Sequence, residues 1–150
     1  MRTKRKINND DLSLKLFIVL SRATKVVSDR IEEDMRSHGL NPSEFQVLEI
    51  LYHLGEQPIQ QLGKKVLLAS GSMTYVVDKL EQKDLVERKA CPSDRRVIYA
   101  KITEKGDALM SVIFPKHQEA IQRIFSILED DEKALMIEKL KKLGLYVRDL

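Results

Sequence analysis

The segment from residue 70 to residue 105 constrains the fold of this chain more than any other. A short amphipathic helix there runs directly into two segments rich in Val, Ile and Tyr, which predict strands over residues 85–89 and 97–102. Five basic residues and one acid lie between Arg88 and Lys101. In a winged helix-turn-helix, such a helix enters the major groove of DNA and the basic ribbon reaches the flanking backbone or the minor groove. The segment therefore predicts that the chain binds double-stranded DNA.

Three helices are predicted before this segment. Apolar residues recur at three- and four-residue spacing over residues 12–38, which is typical of one long amphipathic helix that ends at Gly39. Asn41-Pro42-Ser43-Glu44 combines an N-cap, a proline at the first helical position and a capping-box acid, so a second helix should begin there and end at Gly55. A third, short helix is predicted over residues 59–66.

Two more helices are predicted after the strands. The first begins at Thr103 and extends to about Leu128, and Pro115 should kink or break it. The second begins with the acids of residues 129–132, which are favourable at the positive end of the helix dipole. It carries an apolar stripe that includes Leu135 and Leu140.

The predicted fold is mainly α with a small two-stranded β-wing, that is, a winged helix-turn-helix with flanking dimerisation helices. Residues 40–103 form the winged-helix region, and the helices of residues 10–39 and 104–150 flank it within a single domain. The outer helices are amphipathic and find few partners in a chain of 150 residues. A second copy of the chain is the simplest partner that could bury their apolar faces, so we expect a homodimer with an interface built from both termini.

Composition narrows the class of protein. No apolar run approaches the length of a bilayer span and no apolar stretch follows the basic start, so we expect a cytoplasmic protein without a membrane partner. The single cysteine cannot form an intramolecular disulfide. The chain has no glycine-rich phosphate loop, nucleophile elbow or HExxH motif, and its three histidines lack ligand spacing. Neither an enzyme, nor a metal site, nor a cofactor is expected.

Two groups of side chains are predicted to contact DNA. Small hydroxyls, an aromatic ring and a lysine occupy an acid-free outer face of the helix, where they suit base edges and phosphates, and the hairpin tip adds two arginines. The predicted contact residues are Ser70, Ser72, Thr74, Tyr75, Lys79, Asp94, Arg95 and Arg96. Arg95 should meet phosphate, and Asp94 should orient the loop or an arginine. The alternatives are a merely solvated basic surface, or a winged helix that binds another protein and never contacts DNA.

Four further motifs support this interpretation. They are the stretch from Gly39 to Leu48, Gln61-Leu62-Gly63, the helix exit from Asp78 to Arg88, and Asp94-Arg95-Arg96 with the following Ile102-Thr103-Glu104-Lys105-Gly106. Together they resemble the MarR family of bacterial transcriptional regulators over about residues 12–147. The resemblance implies a homodimer on a pseudo-palindromic operator, repression of a nearby gene, and release by a small, often phenolic or oxidising, effector. It also implies that Arg96 enters the minor groove, where narrow A·T-rich sequence strengthens the potential.

Two positions depart from the family pattern. Asp84 stands where the family has a glycine after the recognition helix, so that turn is expected to be built differently. Cys91 stands where an acid or a small polar residue is more common, and Arg88 and Lys89 nearby would lower its pKa. A thiol-based redox sensor that uses Cys91 is therefore an alternative, although no second cysteine is present to resolve a sulfenic acid.

The resemblance also places an effector pocket at the junction of the DNA-binding region with the dimer helices. The predicted lining residues are Phe17, His38, Phe45, Tyr52, His53 and Phe114. An aromatic wall with a few polar groups suits a small aromatic ligand, and plain core packing is the alternative for each residue. A looser similarity, over residues 14–22 and 69–72, is to regulators of quinone and catechol resistance in Gram-positive bacteria.

Overall fold

The computed structural model describes residues 11–68 and 71–150. Six helices and three strands follow one another in these ranges. They are α1 (Leu12–Ser37), α2 (Pro42–Leu54), β1 (Gln57–Pro58), α3 (Ile59–Lys65), α4 (Met73–Gln82), β2 (Val86–Ala90), β3 (Ile98–Ile102), α5 (Glu104–Ile124) and α6 (Asp130–Arg148). The order and the type of every predicted helix are confirmed.

The helix ends follow local capping chemistry. The Asn41 side chain accepts a hydrogen bond from the Glu44 amide at 2.8 Å, and the Asn41 amide donates to Glu44 Oε1 at 3.1 Å. This reciprocal pair is the predicted capping box at the start of α2. Gly39 and Gly55, with φ of 82° and 77°, end α1 and α2 in a backbone conformation that only glycine adopts at little cost.

The sheet has one strand more than the sequence predicted. All pairs are antiparallel, in the order β1-β3-β2, with Val86 opposite Ile102 and Ala90 opposite Ile98 in the wing. The added strand, β1, pairs Gln57 with Ala100 and Pro58 with Tyr99. The prediction of a two-stranded wing is therefore incomplete. A two-residue strand shows no alternation of apolar residues, and its proline is tolerated because the strand lies at the sheet edge.

The core lies in the winged-helix region. Phe45, Leu51, Leu62, Leu80 and Ala100 are completely buried, so α2, α3, α4 and β3 share one apolar centre. The first half of α5 closes this core with two further buried residues, Met110 and Ile113. The DNA-binding elements are thus held by a common packed interior.

The start of α5 is fixed against the end of α4. Thr103 Oγ1 accepts from the Gly106 amide at 3.1 Å and donates to the Asp84 carbonyl at 2.7 Å. A Cβ at Gly106 would overlap the Leu85 carbonyl oxygen and crowd Ile102. The Thr-x-x-Gly spacing therefore serves a cap and a close backbone approach.

The sequence predicted a kink or a break at Pro115, and the break is wrong. Helix α5 continues through Pro115 to Ile124, because the proline removes a single helical donor while Ile113 and His117 on either side of it are buried. The helix ends four residues before the predicted Leu128, and α6 begins after the N-cap Glu129.

The outer helices leave much apolar surface exposed. Helix α6 has no buried residue in this chain, and Leu135, Ile137 and Leu145 are each more than half exposed. Helix α1 exposes Leu12 and Leu16 in the same way. None of the helices in the described ranges is long and apolar enough to cross a bilayer.

Candidate DNA-binding surface and helix junction

The outer face of α4 carries the predicted helix contacts. Ser72 is the N-cap, and its hydroxyl accepts from the Tyr75 amide at 3.4 Å. Thr74 is exposed, the Tyr75 ring is 59% exposed, and Lys79 Nζ lies 5.2 Å from the centroid of that ring. These four side chains lie on the solvent side of the helix, opposite its buried residues. Two acids of α4 are also about half exposed, so the prediction of an acid-free outer face is wrong. The predicted contact Ser70 lies outside the described residues.

Two polar side chains of α2 contact the segments before and after α4, the recognition helix. Gln46 is 5% exposed, and its Oε1 accepts from the amides of Leu67 and Leu68 at 3.0 and 2.8 Å, just before α4. Glu44 Oε2 lies 2.7 Å from Lys83 Nζ at the far end of α4. The contacts of Gln46 with Leu67 and Leu68 are 21 and 22 residues apart, so sequence spacing does not reveal them.

The turn after α4 corrects the expectation for Asp84. Asp84 itself adopts the left-handed conformation, with φ of 59°. Its amide donates to the Glu81 carbonyl at 3.0 Å, and the Leu85 amide donates to the Leu80 carbonyl at 3.0 Å. This pair of bonds is a Schellman motif with an aspartate in the glycine position. The turn is built in the usual way because buried Leu80 and Leu85 hold it.

The wing tip presents its arginines to solvent. The Arg96 side chain is 92% exposed. Asp94 Oδ1 accepts from the Arg96 amide at 3.0 Å and from its Nε at 3.3 Å. The Val97 amide closes the turn on the Asp94 carbonyl at 3.1 Å, and Arg95 is exposed beside it. Asp94 therefore orients the loop and Arg96, as expected.

The junction of α1, α2 and α5 gathers five of the six predicted pocket residues. Ring centroids lie 6.0 Å apart for His38 and Phe45, 5.1 Å for Tyr52 and His53, and 4.5 Å for His53 and Phe114. Phe17 does not join them: it is 68% exposed on α1 and makes no aromatic contact among the described residues. Its placement in the pocket wall of this chain is not supported, because it lies more than five helical turns before His38.

A buried histidine that the sequence did not single out connects this cluster. His117 is 2% exposed, and its ring centroid lies 4.5 Å from that of Phe45. His117 Nδ1 lies 2.7 Å from Asp34 Oδ2, and His38 Nε2 lies 3.4 Å from the same oxygen. The bond between His117 and Asp34 spans 83 residues of sequence, so only tertiary packing reveals it.

A titratable carboxyl group borders the same junction. Burial raises the pKa of Glu49, and the positive potential of His117 and His53 opposes this rise. Glu49 and His53 line a cavity of about 240 Å³, together with Gln46, Ile50, Leu54, Lys65 and Leu67. This cavity lies between α2 and the end of α3, and His53 is the lining residue that also belongs to the aromatic cluster.

The environment of Cys91 corrects the expected cause of its lowered pKa. The pKa of the thiol is lowered by hydrogen bonds from the Ser93 hydroxyl, 3.2 Å from Sγ, and from the backbone of Ser93 and Asp94. Neither expected cation is the cause. Arg88 binds carboxylates of α4, and Lys89 Nζ lies 3.5 Å from Glu56 Oε2. Within residues 11–68 and 71–150, no cluster of His, Cys, Asp or Glu is suited to a metal ion.

A short helix, an exposed second helix and a basic hairpin, packed on one core, define a winged-helix DNA-binding protein. Comparison with known proteins identifies the family. The MarR family model matches residues 40–98. The chain is 58% identical over 136 residues to the HTH-type transcriptional regulator MhqR of Bacillus subtilis. The matched region covers 91% of this chain and 94% of that protein.

Solved structures agree with this assignment. AbsC, a MarR family transcriptional regulator from Streptomyces coelicolor, has a TM-score of 0.83 at 21% identity and covers 97% of this chain and 99% of that one. A mutant MarR from E. coli complexed with operator DNA has a TM-score of 0.74 at 26% identity and covers 87% and 94%. The chain belongs to the MarR family and is a DNA-binding transcriptional regulator. Its relatives and fold are those of regulators, not of enzymes.

Proposed function

We propose that the protein is a homodimeric repressor that binds a pseudo-palindromic operator and leaves it when a small aromatic, phenolic or electrophilic effector binds. The observation that carries the proposal is the exposed pair of contact elements. The outer face of α4 and the wing tip with Arg96 both point to solvent from one packed core. A dimer bound across a promoter would exclude the transcription machinery.

The contacts divide by role. Ser72, Thr74 and Tyr75, with Ser70 from the sequence alone, would approach base edges and phosphates in the major groove. Lys79 and Arg95 would bind phosphates. Arg96 would enter the minor groove, with Asp94 holding its guanidinium in place.

The dimer is supported by the uncovered apolar surface. Residues 10–39 and 104–150 would form the dimerisation helices and residues 40–103 the DNA-binding region. Between α5 and α6 lies a groove of about 440 Å³ that contains Phe125, Met136 and Leu140. The exposed apolar residues of α1 and α6 in a second copy have the chemistry to fill it. Burial of apolar surface contributes about 25 cal/mol per Å², so this exposure strongly favours association.

Effector response is supported by the position of the aromatic cluster. Helix α5 runs from the wing to the junction, and α1 and α2 meet it there around His117. An aromatic ligand that inserted beside His38, Tyr52, His53 and Phe114 would displace α5 relative to α2. Because each recognition helix moves with its own core, such a shift would change the spacing of the two helices in the dimer.

The experiment is footprinting on DNA upstream of the gene, with phenols, quinones and peroxides added one at a time. We expect protection of two half-sites with centres about 10 base pairs apart, or a multiple of that, and loss of protection with one effector class. A single asymmetric half-site bound at full affinity would contradict the dimer model. Protection that none of the compounds relieves would contradict the effector model.

Cys91 supports a second candidate function, a thiol-based sensor, because hydrogen bonds lower the pKa of its thiol. Electrophiles and peroxides react with the thiolate form. Footprinting of a Cys91→Ser variant in the same panel separates the two mechanisms.

A further inference from the structure

The recognition helix carries an unfavourable charge for a DNA-binding element. Within Met73–Gln82, Lys79 is accompanied by two acids, Asp78 and Glu81. Their side chains are 48% and 46% exposed, so both carboxylates remain near the solvent face. DNA phosphates repel a helix of net negative charge, and like charges across an interface reduce both affinity and association rate.

Arg88 on β2 places its guanidinium against this acidic edge. Nη1 lies 3.0 Å from Glu81 Oε1, and Nη2 contacts Asp78 Oδ1 at 2.5 Å. Nη2 also donates to the Thr74 carbonyl at 3.3 Å. Residues 74, 78 and 81 lie on one side of the helix, because residues three and four apart are neighbours on a helix surface. The Arg88 side chain thus binds three oxygen acceptors that follow one another along the same side of α4.

The exposure of Arg88 separates it from the wing-tip arginine. Its side chain is 27% exposed, whereas that of Arg96 is 92% exposed. The planar guanidinium is committed to protein oxygens and faces the helix. Since β2 continues directly to the wing tip, the same contacts also join the wing to the recognition helix.

We propose that Arg88 is a positioning residue for DNA recognition that acts through α4. It neutralises the carboxylates of Asp78 and Glu81, so that α4 presents no excess negative charge to the DNA phosphates. The proposal rests on the proposed binding of α4 and the wing to DNA. It assigns to Arg88 no contact with a phosphate or a base.

The test measures the DNA affinity of Arg88→Gln and of two double variants that have the same net charge as each other. Arg88→Gln leaves α4 with one excess negative charge, and we expect its affinity for a nonspecific duplex to fall roughly tenfold at low salt and less at high salt, where screening is stronger. In the double variant R88Q/E81Q the charge of α4 is balanced again, and we expect affinity within about threefold of wild type. The matched control R88Q/E138Q removes instead a 71% exposed acid on α6, and we expect it to bind as weakly as Arg88→Gln.

Salt dependence distinguishes neutralisation from direct contact. In R88Q/E81Q the slope of log K against log salt should equal that of wild type. A slope smaller by about 0.9 per subunit would show that Arg88 itself binds a phosphate, and would overturn the proposal. Equal recovery by R88Q/E138Q would also overturn it, because net charge alone would then explain the effect.

Two further measurements keep the test decisive. Thermal unfolding of each variant identifies a loss of folding, and if Arg88→Gln does not fold, D78N/E81Q replaces it. That variant keeps Arg88 and should bind nonspecific duplex at least as tightly as wild type, so weaker binding would refute charge neutralisation. Wild-type protein that binds duplex DNA but protects no operator would contradict the proposed function. The Arg88 variants could still be compared in that case, because their affinity is measured on a nonspecific duplex.

Discussion

Replacement of Arg96 by alanine removes the guanidinium at the tip of the wing. The side chain is 92% exposed, and its ion pair with Asp94 is 3.3 Å long. An exposed pair of this kind contributes about 0–1 kcal/mol, so the free energy of unfolding should hardly change. Operator binding should instead weaken by about 1–3 kcal/mol, or roughly 5- to 150-fold in Kd, because the contact with DNA is lost. The preference for A·T-rich flanks should decrease as well.

The assay for Arg96→Ala is a gel shift at physiological salt, paired with a thermal melt. Arg123→Ala provides a matched control, since Arg123 is also an exposed arginine, paired with Glu119 at 3.4 Å on α5. It should bind the operator like wild type. If Arg96→Ala binds as tightly as this control, the assignment of the wing as a DNA contact is wrong.

Four other perturbations test the remaining parts of the structure. Removal of residues 129–150 should give a monomeric or aggregated protein with poor operator binding, and a truncated chain that sediments as a normal dimer would contradict the interface. Lys79→Ala should lower affinity on all sequences and reduce the salt slope by about one contact per subunit, measured by binding titrations over a salt series. Cys91→Ser should bind the operator and respond to the effector much like wild type, and a variant that binds but no longer responds would establish a thiol sensor. Gly106→Ala should destabilise the fold by about 1–3 kcal/mol in thermal unfolding, because its Cβ would overlap the backbone. As the control for Gly106→Ala, Gly144→Ala should not destabilise the fold, because a Cβ there meets nothing within 4 Å.

Features of local origin were predictable from the sequence. The capping box of Asn41 and Glu44 joins residues that are three apart in the sequence, and its two hydrogen bonds depend only on the local backbone at the start of α2. The left-handed glycines after α1 and α2 likewise follow from backbone sterics at single positions. The MarR resemblance was also readable without structure, because the motif around the wing tip is short and contiguous.

Where packing between elements decides the conformation or placement of a residue, the sequence predicted the structure poorly. The expected break at Pro115 is absent because packing of the residues on either side outweighs the loss of one hydrogen bond. Phe17 looked like a pocket residue by type, yet its position on α1 keeps it away from the other rings. Asp84 adopts the conformation usually left to glycine because two buried leucines hold the turn.

The sequence by itself determined the order of the helices, the wing and the class of protein, since periodicity, caps and short motifs depend on neighbours within one or two turns. Only the tertiary structure decided which groups meet across the core. The edge pairing of Pro58 with Tyr99, the bond of His117 to Asp34 and the three contacts of Arg88 on α4 all join separate elements. Such contacts have no periodic signal, because their partners come together only when burial of the shared apolar core brings those elements into place.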